Sequence, residues 1–173
     1  MRIRTYTFVT LDGYVSTADG MPIQLQLPGF PGATAYGLPE FLENCDAVAM
    51  GRTTFLPALD APNWPWTQPV FVLTSKPLPA ATPSHVTPAP TPVALMDAMR
   101  HAGLTRDVHL VGGPRTIEAF RTAGALAEVG LLVIPRIQGS GVQLAPPGVE
   151  PYPLVLRSTR VFPDGAIETR YTP

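Results

Sequence analysis

Two adjacent glycines follow an apolar run that has the pattern of a β-strand. Residues 108–111 (Val-His-Leu-Val) precede Gly112 and Gly113, and a helical pattern begins at Pro114. Paired glycines at a strand-to-helix turn let the backbone approach a ligand without a Cβ in the way. The N-terminus of the helix that follows attracts a phosphate. The segment therefore predicts either a site for a phosphorylated small molecule, such as a nucleotide, or a tight turn without a ligand.

A second strand end carries related chemistry. Gly51 ends the apolar run 47–50, and Arg52, Thr53 and Thr54 open a short helical pattern. The glycine permits a tight turn, the threonines can cap the helix with groups that face a phosphate, and arginine offers a bidentate fork. The alternatives are simple helix capping for Thr53 and solvated surface charge for Arg52.

A third strand end resembles the second. Thr74, Ser75 and Lys76 follow the apolar run 70–73. A hydroxyl and an ammonium at a neighbouring strand end can hold a second phosphate, although a surface lysine more often faces only solvent.

Strand and helix patterns alternate around these three turns. Strands are predicted over residues 2–10, 47–50, 70–73, 85–87, 108–111 and 128–134, and helices over 37–44, 53–59, 92–103 and 114–124. A Gly/Pro-rich loop is predicted over 19–31, and a final hairpin over 154–162 and 166–171. This is an α/β fold with a mixed, mostly parallel sheet and helices on both faces. Such sheets bind ligands beyond the carboxyl ends of their strands.

Composition limits the class of protein. The 173 residues are 45% hydrophobic and 14% charged with a net charge of −1, which predicts one domain over residues 1–173. No basic run indicates a nucleic-acid or membrane-surface partner, and no apolar segment approaches the roughly 20 residues of a membrane span. Cys45 is the only cysteine, which fits a soluble cytoplasmic protein without disulfides. His85, His101 and His109 share no metal-ligand spacing, so no metal is expected.

Five short segments carry a family resemblance. They are residues 10–15 (TLDGYV), 50–55 (MGRTTF), 72–76 (VLTSK), 111–114 (VGGP) and 134–141 (IPRIQGSG). In order and spacing they resemble the dihydrofolate reductase-like superfamily, in its riboflavin-biosynthesis reductase branch, over nearly the whole chain. The resemblance implies a dihydrofolate reductase-like fold and an NADPH cofactor.

The resemblance also implies roles for the residues at the three turns. The groups expected to select the 2′-phosphate of NADPH are Gly51, Arg52, Thr53, Thr54, Thr74, Ser75 and Lys76. The groups expected to hold the pyrophosphate are Gly112, Gly113, Pro114, Arg115 and Thr116.

The substrate side has fewer candidates. Dihydrofolate reductases place an acid on the first helix, where this chain offers only Glu40 as a substitute. Tyr6 stands where the riboflavin reductases have a lysine. Asp12 is the catalytic candidate near the nicotinamide, and the alternative is a turn residue before Gly13.

Two interpretations of function follow. One is an NADPH-dependent reductase of a small heterocyclic or carbonyl substrate, and the other is a non-catalytic nucleotide-binding protein of the same fold. The segment Asn63-Trp64-Pro65-Trp66 contains both tryptophans of the chain. Three interpretations of Trp64 and Trp66 stay open: they line the entrance of a substrate site, pack in the core or contact a second subunit. The apolar strands 155–162 and 166–171 predict a homodimer.

Overall fold

The computed structural model describes residues 1–30, 32–61 and 64–173. The strands are β1 (Ile3–Thr10), β2 (Tyr14–Ser16), β3 (Cys45–Gly51), β4 (Val70–Leu73), β5 (Val86–Ala89), β6 (Asp107–Gly112), β7 (Leu126–Ile134), β8 (Val142–Gln143), β9 (Val155–Val161) and β10 (Ile167–Thr172). The α-helices are α1 (Leu38–Leu42), α2 (Arg52–Leu59), α3 (Pro92–His101) and α4 (Pro114–Thr122). Short 3-10 helices cover Ile23–Gln26 and Gly32–Thr34.

Eight strands form one sheet in the order β5-β4-β3-β6-β1-β7-β10-β9. The first six strands of this order are mutually parallel, and β10 pairs antiparallel with both β7 and β9. The predicted mixed, mostly parallel sheet with a C-terminal antiparallel hairpin is therefore confirmed. The strands β2 and β8 form a separate two-stranded sheet.

Side-chain alternation along the strands builds a core on each face of the sheet. Ala47 and Ala49 of β3 lie in the cluster packed by α3 and α4, whereas Val48 and Met50 lie in the cluster packed by α2. A third cluster, around Phe8, packs against α1. The expected helices on both faces are thus present.

Most predicted elements occur within a few residues of their expected bounds, but the loops differ. The loop predicted over 19–31 contains the 3-10 helix at Ile23–Gln26, whose Ile23 is fully buried, and its last residue, Pro31, lies outside the described residues. The sequence did not predict β2 or β8. Each is too short, at three and two residues, to show a periodic pattern.

A buried ion network closes the amino-terminal edge of the sheet. Arg4, which is 4% exposed, donates to Asp107 at 3.1 Å and to Glu128 at 2.6 Å. Arg2 also donates to Asp107, at 2.7 Å. The Arg2 side chain is 61% exposed, but Arg4 and Asp107 are buried, and each of these two buried charges is compensated by an opposite charge. No three His, Cys, Asp or Glu side chains of the described residues group as a metal site, and no described helix is long and apolar enough to span a membrane.

His109 lies beside this network and should make stability depend on pH. Its Nε2 has no hydrogen-bond partner among the described residues, and burial lowers its pKa to about 4. In the unfolded chain His109 binds a proton below about pH 6.5, whereas in the folded chain it does so only below about pH 4. The stability of the fold therefore decreases as the pH falls through that window. We expect the free energy of unfolding to be about 2 kcal/mol lower at pH 5 than at pH 7.

Urea denaturation across that pH range measures the effect. A His109→Gln variant should lose most of the pH dependence between these two values, because glutamine does not titrate. If the free energy of unfolding of the variant depended on pH as strongly as that of the parent protein, other titratable groups would be responsible for the dependence.

Candidate functional site

The loops that follow β1 and β7 are joined above the carboxyl edge of the sheet. The Leu11 N–H donates to the Arg136 carbonyl at 2.9 Å, and the Leu144 N–H donates to the Gly13 carbonyl at 2.9 Å. Tyr14 of β2 pairs with Gln143 of β8. Gly141 is packed so closely on the Ser16 carbonyl that a Cβ there would overlap it. These contacts fix a small two-stranded sheet beside the ends of the parallel strands.

A cavity of about 630 Å³ opens between this small sheet and the first turns of α2 and α4. The wall from the small sheet and the loop after it consists of Tyr14, Gly141, Val142, Gln143, Pro146 and Pro147. The opposite wall consists of Thr53, Gly113, Pro114, Arg115 and Thr116. Five of the predicted cofactor residues therefore line one cavity, while sequence reasoning missed the wall from the small sheet. The sequence signals for that wall were the segment 10–15, which contains Tyr14, and the late glycine turn, which contains Gly141.

The paired glycines begin α4 as expected. Gly112 has φ +133°, the Gly112–Gly113 peptide is cis, and Gly113 is the N-cap with φ −77°. A Cβ on Gly113 would have one neighbour within 4 Å, the Thr54 hydroxyl at 3.7 Å, so it would occupy otherwise open space. The backbone therefore approaches the cavity with room left for a ligand.

The helix offers fewer free N–H groups than the pattern suggests. Pro114 has none, and the N–H groups of Thr116 and Ile117 both donate to the Gly113 carbonyl, at 2.9 and 3.1 Å. Of the first turn, only Arg115 keeps an N–H without a partner in the described part of the chain. The helix dipole thus acts together with one donor and the Arg115 side chain.

Gly51 connects this turn to the start of α2. It is the N-cap of α2, and a Cβ there would overlap the Thr116 hydroxyl. Thr53 and Thr54 do not cap the helix, contrary to expectation, because the helix already begins at Arg52 and its cap makes no side-chain hydrogen bond. Both threonines lie in its first turn instead.

The structure brings Arg52 together with the third predicted turn. The Arg52 Nη1 donates to the Pro77 carbonyl at 2.7 Å. The Lys76 N–H donates to the Thr74 hydroxyl at 3.0 Å, which closes the turn around Ser75. Arg52 therefore keeps its full positive charge, since its partner is a neutral carbonyl.

Positive charge without a partner collects at the same edge of the sheet. Among the described residues, the side chains of Lys76, Arg115 and Arg136 make neither an ion pair nor a hydrogen bond, whereas each of the other nine arginines makes at least one. These three follow β4, β6 and β7 respectively. Cations left unpaired at the carboxyl ends of parallel strands favour an anionic ligand there.

Asp12 is held as a structural anion. Its carboxylate accepts hydrogen bonds from the Thr10 hydroxyl at 2.6 Å, the Gln138 N–H at 3.0 Å and the Gly139 N–H at 2.7 Å. These bonds, that from Thr10 above all, lower its pKa to about 2. The catalytic role stays a prediction, but a carboxylate with this pKa carries no proton to donate at neutral pH.

The other acid and tyrosine candidates lie away from the cavity wall. Glu40 forms an ion pair with Arg160 at 3.2 Å and is exposed on the surface. Tyr6 is 3% exposed, and its hydroxyl donates to Glu168 at 2.8 Å. Burial and that bond raise the pKa of Tyr6 above its ordinary value. Neither side chain is placed to supply a proton in the cavity.

The two tryptophans favour the core interpretation. Both pack against the cluster under α2, and the Trp64 Nε1 donates to the His85 Nε2 at 3.2 Å. Neither residue lines the 630 Å³ cavity. Asn63 of the same segment lies outside the described residues.

Strand order, helix placement and the cavity beyond the strand ends define a dihydrofolate reductase-like α/β fold. No protein-family model and no curated protein sequence matches the chain. The assignment of the fold therefore rests on its three-dimensional likeness to solved structures.

Solved structures described as riboflavin-biosynthesis or reductase proteins share this fold. A Shewanella sp. PV-4 protein, provisionally assigned to riboflavin biosynthesis, superposes with a TM-score of 0.80 at 24% identity, over 99% of this chain and 98% of its own. The diaminohydroxyphosphoribosylaminopyrimidine deaminase/5-amino-6-(5-phosphoribosylamino)uracil reductase of Thermotoga maritima gives 0.69 at 16% identity, over 99% of this chain but 56% of its own. A pyrimidine reductase-like protein of Corynebacterium diphtheriae gives 0.60 at 15% identity, over 99% and 91%. At these identities the likeness establishes the fold, which is the one the motifs predict.

Proposed function

We propose that the protein is an NADPH-dependent reductase of a small heterocyclic or carbonyl substrate. The observation that carries the proposal is the cavity where Gly113, the first turn of α4 and unpaired positive charge meet beyond the strand ends. The reductase descriptions of proteins with this fold support the reaction class.

The residues present fit a dinucleotide phosphate. Gly113 leaves the space that a Cβ would fill, and Arg115 brings an N–H and a guanidinium to the same wall. On the other side of Thr53, the Arg52 guanidinium and the turn around Lys76 would hold the 2′-phosphate. In this assignment Gly112 to Thr116 hold the pyrophosphate, as the resemblance implies.

The cofactor, when bound, supplies a hydride for a polarised C=N or C=O group. The protein's own contribution is positioning. Asp12 holds the loop after β7 against the loop after β1, and so keeps Tyr14 and Gly141 in the cavity wall. Because Asp12 stays ionised, we assign it to this positioning and not to proton donation.

NADPH oxidation measured with the purified chain tests the proposal against a panel of pterins, pyrimidines and carbonyl compounds. Turnover of at least one member is expected. NADPH binding without turnover across the panel would support the non-catalytic nucleotide-binding alternative, and absence of NADPH binding would contradict both.

Cofactor choice is the first specific prediction. We expect NADPH to bind at least about 10-fold more tightly than NADH, because Arg52 and Lys76 face the added phosphate in this assignment. Arg52→Ala should reduce the difference in affinity between NADPH and NADH. Arg157→Ala is the control and should leave that difference unchanged, because Arg157 is an exposed cation on β9 that is bonded to Thr172 of β10. Calorimetry with both cofactors measures it, and equal affinities in the parent protein would refute this placement.

We propose that the protein forms a homodimer through its last hairpin. β9 is the outer strand of the sheet, and Val155, Leu156 and Val161 are 51%, 54% and 68% exposed. An apolar edge strand is a surface that proteins normally cover. Light scattering at micromolar concentration should give twice the 18.5 kDa chain mass.

Leu156→Lys should shift the protein toward the monomer mass, because a buried lysine opposes association. Val93→Lys is the control, since Val93 is 56% exposed on α3, outside the hairpin. A monomer mass for the parent protein would rule out the dimer.

A further inference from the structure

A second cavity lies between residues 27–36 and the turn that joins β9 to β10. It has a volume of about 340 Å³, and none of its described lining residues also lines the 630 Å³ cavity. Its walls combine the apolar residues Leu27, Pro28, Phe30 and Ala35 with the polar residues Thr34, Tyr36 and Asp164. The volume lies at the lower end of the roughly 300–1,000 Å³ typical of small-molecule sites.

The charged group of this cavity, among the described residues, is the carboxylate of Asp164. Asp164, in the turn between β9 and β10, accepts a hydrogen bond from the Tyr36 hydroxyl at 2.6 Å and one from the Ala166 N–H at 3.1 Å. A carboxylate offers about four acceptor positions, so Asp164 can accept further hydrogen bonds from a ligand. These bonds, the one from Tyr36 first, lower the pKa of Asp164, so it stays negatively charged at neutral pH.

Within the part of the chain that the structure describes, no cation pairs with Asp164. None of the ion pairs formed within the described residues includes it, and its partners are a hydroxyl and an N–H. A carboxylate that is oriented but not paired with a cation, at the wall of a cavity with aromatic side chains, attracts a positively charged group.

Aromatic rings make the rest of the cavity suited to a flat ligand. Phe8 of β1 contacts Phe30 and Tyr36 edge-on, with ring centroids 5.4 and 6.1 Å apart. Tyr36 also packs on Phe162 at 5.0 Å and has φ +54°, a conformation that non-glycine residues rarely adopt. The same side chain thus orients the carboxylate and lines the cavity, held by contacts on two sides.

We propose that this cavity is a binding site for a small, flat cation of the amidinium or protonated aminoheterocycle class, with its N–H groups on Asp164 and its ring beside Phe30 and Tyr36. The site is separate from the cofactor cavity and does not depend on the proposed reductase activity. Aromatic walls favour the cationic ring, and the carboxylate accepts its N–H donors.

Benzamidine is a suitable probe for titration calorimetry on the full chain, with benzyl alcohol and benzoate as matched ring compounds that lack the cation. We expect saturable benzamidine binding at least 10-fold tighter than either control compound. Asp164→Asn keeps the side-chain shape without its charge and should weaken benzamidine at least 10-fold. Tyr36→Phe keeps the aromatic ring but removes the hydrogen bond to the Asp164 carboxylate, and it should weaken benzamidine binding less than Asp164→Asn does.

Asp19→Asn is the control variant, because Asp19 is an exposed carboxylate bonded to a neighbouring threonine and is not part of the cavity. Unchanged benzamidine affinity in Asp164→Asn, equal affinity for benzoate, or no saturable binding would each overturn the proposal. The NADPH dissociation constant of Asp164→Asn should equal that of the parent protein. A parallel loss of NADPH binding would overturn the independence of the two sites.

Discussion

Gly113→Ala should weaken NADPH binding by about 10-fold or more, while the melting temperature changes little. Gly113 has φ −77°, which alanine adopts without strain, and the added Cβ would meet only the Thr54 hydroxyl at 3.7 Å. The folded protein therefore tolerates the methyl group. A bound phosphate would not, because the methyl group takes the space next to the helix N-terminus. Calorimetric titration and thermal denaturation of the same variant measure both quantities.

Gly112→Ala is the matched comparison. Gly112 has φ +133°, where any Cβ is strained, so this variant should lose stability whether or not a ligand binds nearby. If Gly113→Ala instead kept its NADPH affinity, with or without a loss of stability, the paired glycines would be a turn only and the cofactor site would lie elsewhere.

Gly141→Ala should be the most destabilising single methyl addition at the small sheet, on the order of 3 kcal/mol in the free energy of unfolding. Its φ is +136°, and the new Cβ would overlap the carbonyl oxygen of Ser16, a backbone atom that cannot rotate away. Separating β8 from β2 also displaces Tyr14 and Val142 from the cavity wall. NADPH affinity should therefore fall together with stability.

Gly139→Ala separates the clash from backbone strain. Gly139 also has a positive φ, +77°, but a Cβ there meets nothing within 4 Å. This variant should lose only about 1 kcal/mol of unfolding free energy, as expected for a left-handed alanine. Chemical denaturation of both variants gives the comparison, and equal losses would show that the contact with Ser16 does not matter.

The sequence predicted the parts of the fold that depend on local pattern. Strands such as β4 and β6 are continuous apolar runs, and α4 begins at Pro114 immediately after a glycine, so their bounds were predictable within one or two residues. The cofactor candidates Thr53 and Gly113 to Thr116 also meet in one cavity. Each of them follows directly on a strand end, where the topology of a parallel sheet brings side chains together.

The remainder depends on contacts between distant residues. Asp12 is bonded to the N–H groups of Gln138 and Gly139, more than 120 residues away, and no local pattern distinguishes that use from catalysis. The cavity wall at Gln143 to Pro147 belongs to a strand of two residues and the loop after it. Tyr36 and Asp164 are 128 positions apart, so the second cavity has no sequence signature.

The place of β1 at the start of this sequence and in the middle of the sheet determines when its strand pairs can form during synthesis. β1 is made first, yet its neighbours are β6 and β7, which end at Gly112 and Ile134. At roughly 5–20 residues per second, its buried apolar residues wait on the order of ten seconds for their partners to be translated. Meanwhile β3, β4 and β5 can already pair with one another, since all three lie before Pro92. A ribosome-bound chain of this protein should therefore leave Ile3, Tyr6 and Phe8 without their native partners until β6 and β7 have been synthesised.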